Sequence, residues 1–264
     1  MRAVRTHAVF FRRDVGAQNT FSRPTSFQVR TLTRESDPAS PPLEGLFAGM
    51  TDPITKAESG VPSCVFIGDD SLLTRCAELA RLRGHVVRCV VTSAPVVTRW
   101  AQTAGIPVVD PSGDIASNLS AALQPHGGRV DWIFSVANLR PLPPAVLALA
   151  ERGGVNFHDG PLPKFGGVHS PAWAIMAGEP EHGITWHLMR ERMDTGDVLI
   201  QRRFAIEADD TSLTLNIKCF EAGLESFPEL LDGLAASTIT PRSHVLDRGT
   251  YHRTSDRVAR GQCR

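Results

Sequence analysis

From about Val61 onward, apolar positions along the chain alternate between two spacings. "CVFIG" (64–68) is a short continuous apolar run of strand length. Ser71 can cap the segment that follows, in which Leu72, Leu73, Cys76, Leu79 and Ala80 fall on one helical face before Gly84 ends it. "HVVRCVVT" reads as the next strand. After it come "IPVVD", a short helix around 114–123, the strand "DWIFSV", a helix opened by Pro143 and Pro144, and the strand "GVNFH". Strands alternating with helices in this way imply a parallel sheet covered by helices on both faces. The expected class is α/β, a doubly wound, mostly parallel, Rossmann-like sheet. Ligands on such sheets sit beyond the carboxyl ends of the strands, and His158 falls at one of those ends.

Residues 1–60 show no sustained period and include the proline-rich "DPASPPLEG", so the packed domain is expected to begin near Val61. The first thirty residues hold six arginines and one acid, a composition shared by organelle-targeting peptides and by unstructured tails. The tail reading is preferred, giving a disordered extension over 1–60, a catalytic domain over 61–236 and a surface tail or linker over 237–264.

Bulk composition removes several classes of function. Lys plus Arg and Asp plus Glu both number 28, so no net field is available to hold a polyanion, and nucleic acid is not an expected partner. The five cysteines are scattered without a Cys-x-x-Cys pair, as expected of reduced thiols in a cytoplasmic protein that holds no metal. No apolar run approaches the roughly 20 residues that cross a bilayer, so no membrane association is expected.

The loop after the first strand, "GDDSLL", contains two misleading signals. A dinucleotide-binding turn needs three glycines, and only Gly68 is present; Asp69 and Asp70 would repel a pyrophosphate there. Gly68-Asp69-Asp70-Ser71-Leu72 also looks like a phosphopantetheine attachment site. Carrier domains are helical bundles, however, whereas a β-rich run precedes this serine and another follows the helix. Ser71 is better read as a helix cap.

The stretch that carries chemistry is "VNFHDGPLP" (155–163). Residues two apart on a strand face one side, so Asn156 and His158 project together. Pro161 and Pro163 fix their own backbone angles and restrict Gly160 and Leu162, which stiffens the following loop. Gly166 and Gly167 then allow a close turn before "HSPAWAIMAG", a helix led by Ser170 and Pro171. Beyond a strand containing His187, "MDTGD" places Asp194 in a tight turn at another strand end. An amide, an imidazole and a carboxylate can thus converge. Acyl transfer to an amine uses such a trio: the amide donates to the oxyanion of a tetrahedral intermediate, the imidazole moves a proton or stabilises that oxygen, and the carboxylate holds the imidazole's protonation state. No serine or cysteine nucleophile is required. A plainer reading makes Asn156 and His158 mutual partners and Asp194 a turn residue.

"NFHDGPLPKFGGVHSPAWAIMAGEPEHGITWHLM" followed by "MDTGDVLIQ" resembles the formyl-tetrahydrofolate-dependent formyltransferases, over roughly residues 61–235. That family pairs an Asn-x-His strand with a Leu-Pro loop and a later Asp-x-Gly turn. The resemblance implies a formyltransferase-type sheet, formyl-tetrahydrofolate as donor, and Asn156, His158 and Asp194 as the catalytic amide, imidazole and carboxylate. It also implies a folate pocket walled by Arg140, Leu142 and Leu147 with the loop of Met193, Thr195 and Gly196, and an acceptor pocket containing His169 and His187.

Most members read Pro-Ser-Leu-Leu-Pro where this chain has Asp159-Gly160-Pro161-Leu162-Pro163. The "HDGPLP" version resembles formyltransferase domains of nonribosomal peptide synthetases, which formylate an aminoacyl group on a carrier protein. Methionyl-tRNA formyltransferases carry a further C-terminal barrel, and the thirty residues after Leu234 are expected to be too few for one. Purine-pathway members bind phosphate where this chain has Asp69 and Asp70. The expected acceptor is therefore an amine on a carrier protein. The alternatives are a nucleotide-sugar amine, a hydroxyornithine side chain, hydrolysis of the donor, a metal site built on the histidines, and a docking module without activity.

Overall fold

The computed structural model describes residues 61–244 and 249–256, so the expected disordered extension over 1–60 lies outside the described residues, as does Cys263. The core is one seven-stranded sheet. β1 (Ser63–Ile67), β2 (Val86–Val91), β3 (Val108–Val109), β4 (Val130–Ser135) and β5 (Ala150–His158) run parallel to one another, while β7 (Glu181–Leu188) and β8 (Val198–Ala205) add antiparallel. The strand order is β3-β2-β1-β4-β5-β7-β8. Chain direction across the sheet reverses between β1 and β4, which opens a crevice at their carboxyl ends.

The apolar strands are buried on both faces. In β1, Cys64 and Phe66 enter one core with α1 (Ser71–Leu82), α2 (Pro95–Thr103) and α6 (Ser212–Ala236), whereas Val65 and Ile67 enter a second core with α3 (Ile115–Leu123) and α4 (Pro144–Leu147). That period-two division explains the continuous apolar runs. The first core centres on aromatic side chains: Phe66 stacks on Phe134 at 5.1 Å, and Phe227 of α6 meets Phe134 edge-on at 5.4 Å. Cys64, Cys76, Cys89 and Cys219 are free and buried, and burial raises all four thiol pKa values far above neutrality.

Local chemistry sets the helix starts. Asp70, rather than Ser71, caps α1: its carboxylate accepts from the Ser71 backbone N–H at 2.5 Å. Asp114 caps α3 and Thr211 caps α6 in a reciprocal pair with Thr214. Capping by Asp70 corrects the sequence expectation, and it uses one of the two acids noted in the first loop.

Two departures concern the site. Gly166 and Gly167, expected as a turn, form β6 (Gly166–Gly167), which pairs in parallel with β9 (Tyr251–His252). Within the segment expected as a surface tail or linker, Tyr251 and His252 therefore pack back on the domain. Further back, Arg242 bridges Val198 at the edge of β8 with backbone bonds of 2.8 and 2.9 Å. Among the described residues no helix is long and apolar enough to cross a membrane.

Candidate active site

β5 delivers the first two groups. In the antiparallel pairing of β5 with β7, Asn156 lies opposite His187 and His158 opposite Thr185. Directly opposed side chains are within reach of each other, and Asn156 Nδ2 lies 3.2 Å from His187 Nε2. The other ring nitrogen, Nδ1, faces the Leu188 carbonyl at 2.9 Å. A carbonyl can only accept, so His187 Nδ1 carries a proton and a neutral His187 accepts the Asn156 amide at Nε2. This fixes the rotation of the amide and leaves its second N–H for the cavity.

The same argument settles His158. Its Nε2 lies 2.9 Å from the Phe165 carbonyl, which can only accept, so Nε2 carries the proton. Ser170 supports that carbonyl from the other side, donating to it at 2.8 Å. The neutral ring therefore presents a bare Nδ1, which points at Asp194 Oδ1 at 3.8 Å. His158 and Asp194 are 4% and 7% exposed, so a proton gained by the ring at Nδ1 would meet the carboxylate charge with little screening by water.

Asp194 lies between two imidazoles, with His187 Nε2 at 3.5 Å from the same Oδ1. Its other oxygen accepts the Gly167 N–H at 2.7 Å. Burial alone would raise its pKa, but His187 donating from Nε2 and the charge of His158, each present when those rings are protonated at acid pH, together with the Gly167 N–H outweigh it and lower the value to about 2. The carboxyl is thus ionised at neutral pH. Because the folded pKa is depressed, the stabilisation is present above the unfolded value and is lost as pH falls from 3.8 towards about 2. Wild type is expected to lose about 2 kcal/mol more stability than Asp194→Asn across that window. Urea unfolding at several acidic pH values measures the difference, and parallel curves for the two proteins would remove the claim.

Strained backbone is concentrated around these groups. Among the described residues five non-glycine positions have left-handed φ: Ala137, Phe165, His169, Asp194 and Ser237. Ala137, His169 and Asp194 line the cavity, and Phe165 supplies the carbonyl that holds His158. Such conformations persist only where surrounding contacts impose them. For Phe165 those contacts are Ser170 on its carbonyl and Thr250 on its N–H, while β7 and β8 hold the first part of the same loop. Thr185 donates to the Gly160 carbonyl at 2.7 Å and accepts the Leu162 N–H at 3.1 Å, while Gln201 donates to the Leu162 carbonyl at 2.8 Å. Gly160 has to be small, since a Cβ there would lie 2.7 Å from His158 Nε2.

A cavity of about 540 Å³ opens over the trio. Its walls combine apolar groups, among them Leu142, Met189, Met193 and Phe220, with Asn138, Arg140, Asn156, His158 and Asp194. This size and mixed lining suit an organic co-substrate with a polar head. His169 and His187 also line it. Of the expected folate contacts, Arg140, Leu142 and Met193 reach the cavity. Leu147, Thr195 and Gly196 do not: Leu147 packs toward Gly154, Thr195 donates to the Arg192 carbonyl, and a Cβ at Gly196 would lie 1.7 Å from the Leu188 carbonyl oxygen. Gly196 thus lets two backbone segments close the turn that presents Asp194.

Arg140 is tied across the crevice to Asp69 at 2.7 Å. Burial pushes the Asp69 carboxyl up, but the Ser93 N–H, the Thr92 hydroxyl and Arg140 hold it below the ordinary range. Both acids of the first loop thus have internal partners. Sequence reasoning did not find the Gly167 N–H, the Phe165 carbonyl, Ser170, Thr185 or Gln201 as supports of the site. The adjacent Gly166 and Gly167 were the one signal that backbone approaches closely there.

The family described as "Formyl transferase" matches residues 67–231. Similar curated proteins include a methionyl-tRNA formyltransferase of Anaeromyxobacter sp. (strain K), 38% identical over 188 residues that make up 67% of this chain and 60% of that protein. A methionyl-tRNA formyltransferase of Acidobacterium capsulatum is 34% identical, over 67% of this chain and 61% of that protein. The chain thus spans about 60% of the length of the curated relatives it matches. Among solved structures, phosphoribosylglycinamide formyltransferase from Anaplasma phagocytophilum superposes with a TM-score of 0.62 at 22% identity, covering 74% of this chain and all of that one. An N-formyltransferase from Helicobacter canadensis, solved with folinic acid and dTDP-3-aminofucose, gives 0.61 at 19% identity over 75% and 72% of the two chains. At these identities the structural likenesses establish the fold. The sequence match extends from the end of β1 into α6 and takes in both the Asn156–His158 strand and the Asp194 turn, so this chain is a member of the formyltransferase family.

Proposed function

We propose that the protein transfers a formyl group from formyl-tetrahydrofolate to a primary amine, and that Asn156, His158 and Asp194 carry the reaction. The observation that supports this most is the tautomer of His158. With Nε2–H committed to Phe165, a neutral His158 has its basic Nδ1 beside an ionised carboxylate at the cavity. The attacking amine reaches the formyl carbon as a neutral nucleophile. As the new C–N bond forms, charge gathers on the formyl oxygen, where the free Asn156 N–H is the available donor. The nitrogen that attacked sheds its proton to the bare Nδ1 of His158, which becomes an imidazolium. As the bond to the folate nitrogen breaks, that imidazolium returns the proton to the departing nitrogen. Asp194 stabilises the imidazolium between those two steps.

The cavity fits the donor by size and by its apolar walls. For the acceptor, the "HDGPLP" loop and the balanced charge of the chain favour an aminoacyl group on a carrier protein over tRNA, which needs several phosphate contacts. The first loop supports the same choice: Asp70 caps α1 and Asp69 holds Arg140, leaving carboxylates where a phosphate would otherwise rest on the helix N-terminus. The names of the curated relatives favour a second reading, an aminoacyl group carried on tRNA. Both acceptors present the same α-amino group, as a thioester or as an ester.

The test compares aminoacyl-carrier protein, aminoacyl-tRNA, a nucleotide-linked amino sugar and the free amino acid under the same conditions, with mass spectrometry for the formylated product. Carrier-bound aminoacyl groups are expected to react at least about tenfold more efficiently than the free amino acid, since positioning energy comes from contacts remote from the amine. A better rate with tRNA or the amino sugar would overturn the carrier assignment alone. Formate release with no acceptor consumed would overturn transfer in favour of hydrolysis.

A further inference from the structure

Residues 249–256 fall outside the stretch that matches the family, yet they cross the loop on which the site depends. The Gly166 N–H donates to the Thr250 carbonyl at 2.9 Å and the Val168 N–H to the His252 carbonyl at 3.0 Å. Just before them, the Phe165 N–H donates to the Thr250 hydroxyl at 2.9 Å. The His252 ring stacks flat on Trp173 of α5 (Ser170–Ala177), with centroids 4.0 Å apart and 9° between the planes. Gly249 approaches Pro163 so closely that a Cβ would lie 2.0 Å from its carbonyl oxygen.

Two residues of this loop contact the trio directly. Phe165 has φ 58° and offers its carbonyl to His158 Nε2, and Gly167 has φ 92° and offers its N–H to Asp194. A left-handed φ at a phenylalanine costs roughly 1 kcal/mol or more and reverts unless both sides of the peptide are fixed. Ser170 holds the carbonyl of Phe165 and Thr250 holds its N–H. A strand pair only two residues long has little stability of its own, so the aromatic stack and the Thr250 hydroxyl determine whether it stays in place.

We infer that Thr250 is a positioning residue for formyl transfer: with the backbone of β9 it fixes Phe165 and Gly167, so that Phe165 sets the tautomer of His158 and Gly167 aims Asp194 at Nδ1. The inference rests on the formyl-transfer reading of the site. It extends the working site to a segment about 85 residues after the loop in sequence, a separation of 85 between Phe165 and Thr250. Thr250 is itself exposed, so replacing it leaves no hole in a packed core.

In the full chain, Thr250→Val removes the acceptor while keeping shape, Thr250→Ser restores it, and Gly249→Ala pushes the segment off Pro163 without touching the cavity lining. Thr250→Val and Gly249→Ala are expected to lower kcat roughly tenfold with donor KM changed less than about threefold, whereas Thr250→Ser stays near wild type. Hydrogen exchange of amides 165–168 is expected to quicken in the two impaired variants while amides of β4 keep their rates. Wild-type kcat in Thr250→Val, an equal loss in Thr250→Ser, or a loss confined to KM would overturn the inference. Should the wild type formylate no amine, the formyl-transfer reading fails, and the Asp194 carboxyl, followed by NMR titration, still decides the positioning. The titratable groups around it are His158 from β5, His187 from β7, Tyr251 from β9 and His244 beyond β8. An upward movement of its titration in Thr250→Val supports positioning by β9, and an unchanged titration overturns it.

Discussion

Replacing His158 with alanine is expected to slow formyl transfer by roughly two to four orders of magnitude while donor binding changes much less. The argument follows from what the ring does rather than from its burial. His158 lies between the Phe165 carbonyl at 2.9 Å and the Asp194 carboxylate at 3.8 Å, so under the proposed mechanism its removal takes away the proton carrier and leaves an ionised acid without its counterpart. Asp194→Ala is expected to cost a similar factor, because a neutral imidazole with no anion beside Nδ1 has less tendency to take the proton. Asn156→Ala removes a donor to the developing oxyanion, which alone is worth about 3 kcal/mol. These groups act as one unit, so a double His158→Ala, Asp194→Ala variant should be far less impaired than the product of the single losses. Single-turnover rates with saturating donor check this directly. Near wild-type turnover in the His158 variant, with the fold intact by circular dichroism, would remove the residue from the mechanism.

The second large effect concerns stability. Gly68→Ala is expected to destabilise the domain by roughly 3 kcal/mol or more, since it combines a strained backbone with an overlap that cannot be relieved by a side-chain rotation. Gly68 has φ 155°, a region essentially restricted to glycine, and an added Cβ would lie 1.9 Å from the backbone oxygen of Val136. The close approach occurs where β1 and β4 leave the sheet side by side at the crevice, so either strand end must move to accept the methyl group. Movement of the β1 end also disturbs Asp69 and, through it, Arg140 on the cavity wall. Urea unfolding should show a lower midpoint with an unchanged slope. A variant within 1 kcal/mol of wild type, a size ordinary for surface substitutions, would show that the strand ends are looser than this packing implies.

Much of the fold was already legible in the sequence. The continuous apolar runs of β1, β2 and β4 and the helical face of α1 reflect burial, on both sides for the strands and on one for the helix, which is a local consequence of residue type. Asn156 and His158 were legible as a pair because strand geometry places alternate residues together, and Asp194 because a turn motif follows an apolar strand. What sequence reasoning could not decide is where distant backbone groups arrive. Whether Asp70 or Ser71 caps α1 depends on one φ/ψ choice at the loop, and both residues are competent caps. Of the two leucines only Leu142, in the loop before α4, lines the cavity, whereas Leu147 at the end of α4 packs toward Gly154. The proton position on His158 follows from the Phe165 carbonyl, seven residues away and aimed by a left-handed turn. The support beneath that turn comes from Thr250, and no periodicity links two segments so far apart. Sequence by itself determined which residue types alternate, where strands end and which polar groups interrupt them. Tertiary structure alone decided which carbonyl faces which ring nitrogen, because a hydrogen bond depends on distances of a few tenths of an ångström that only the packed chain sets.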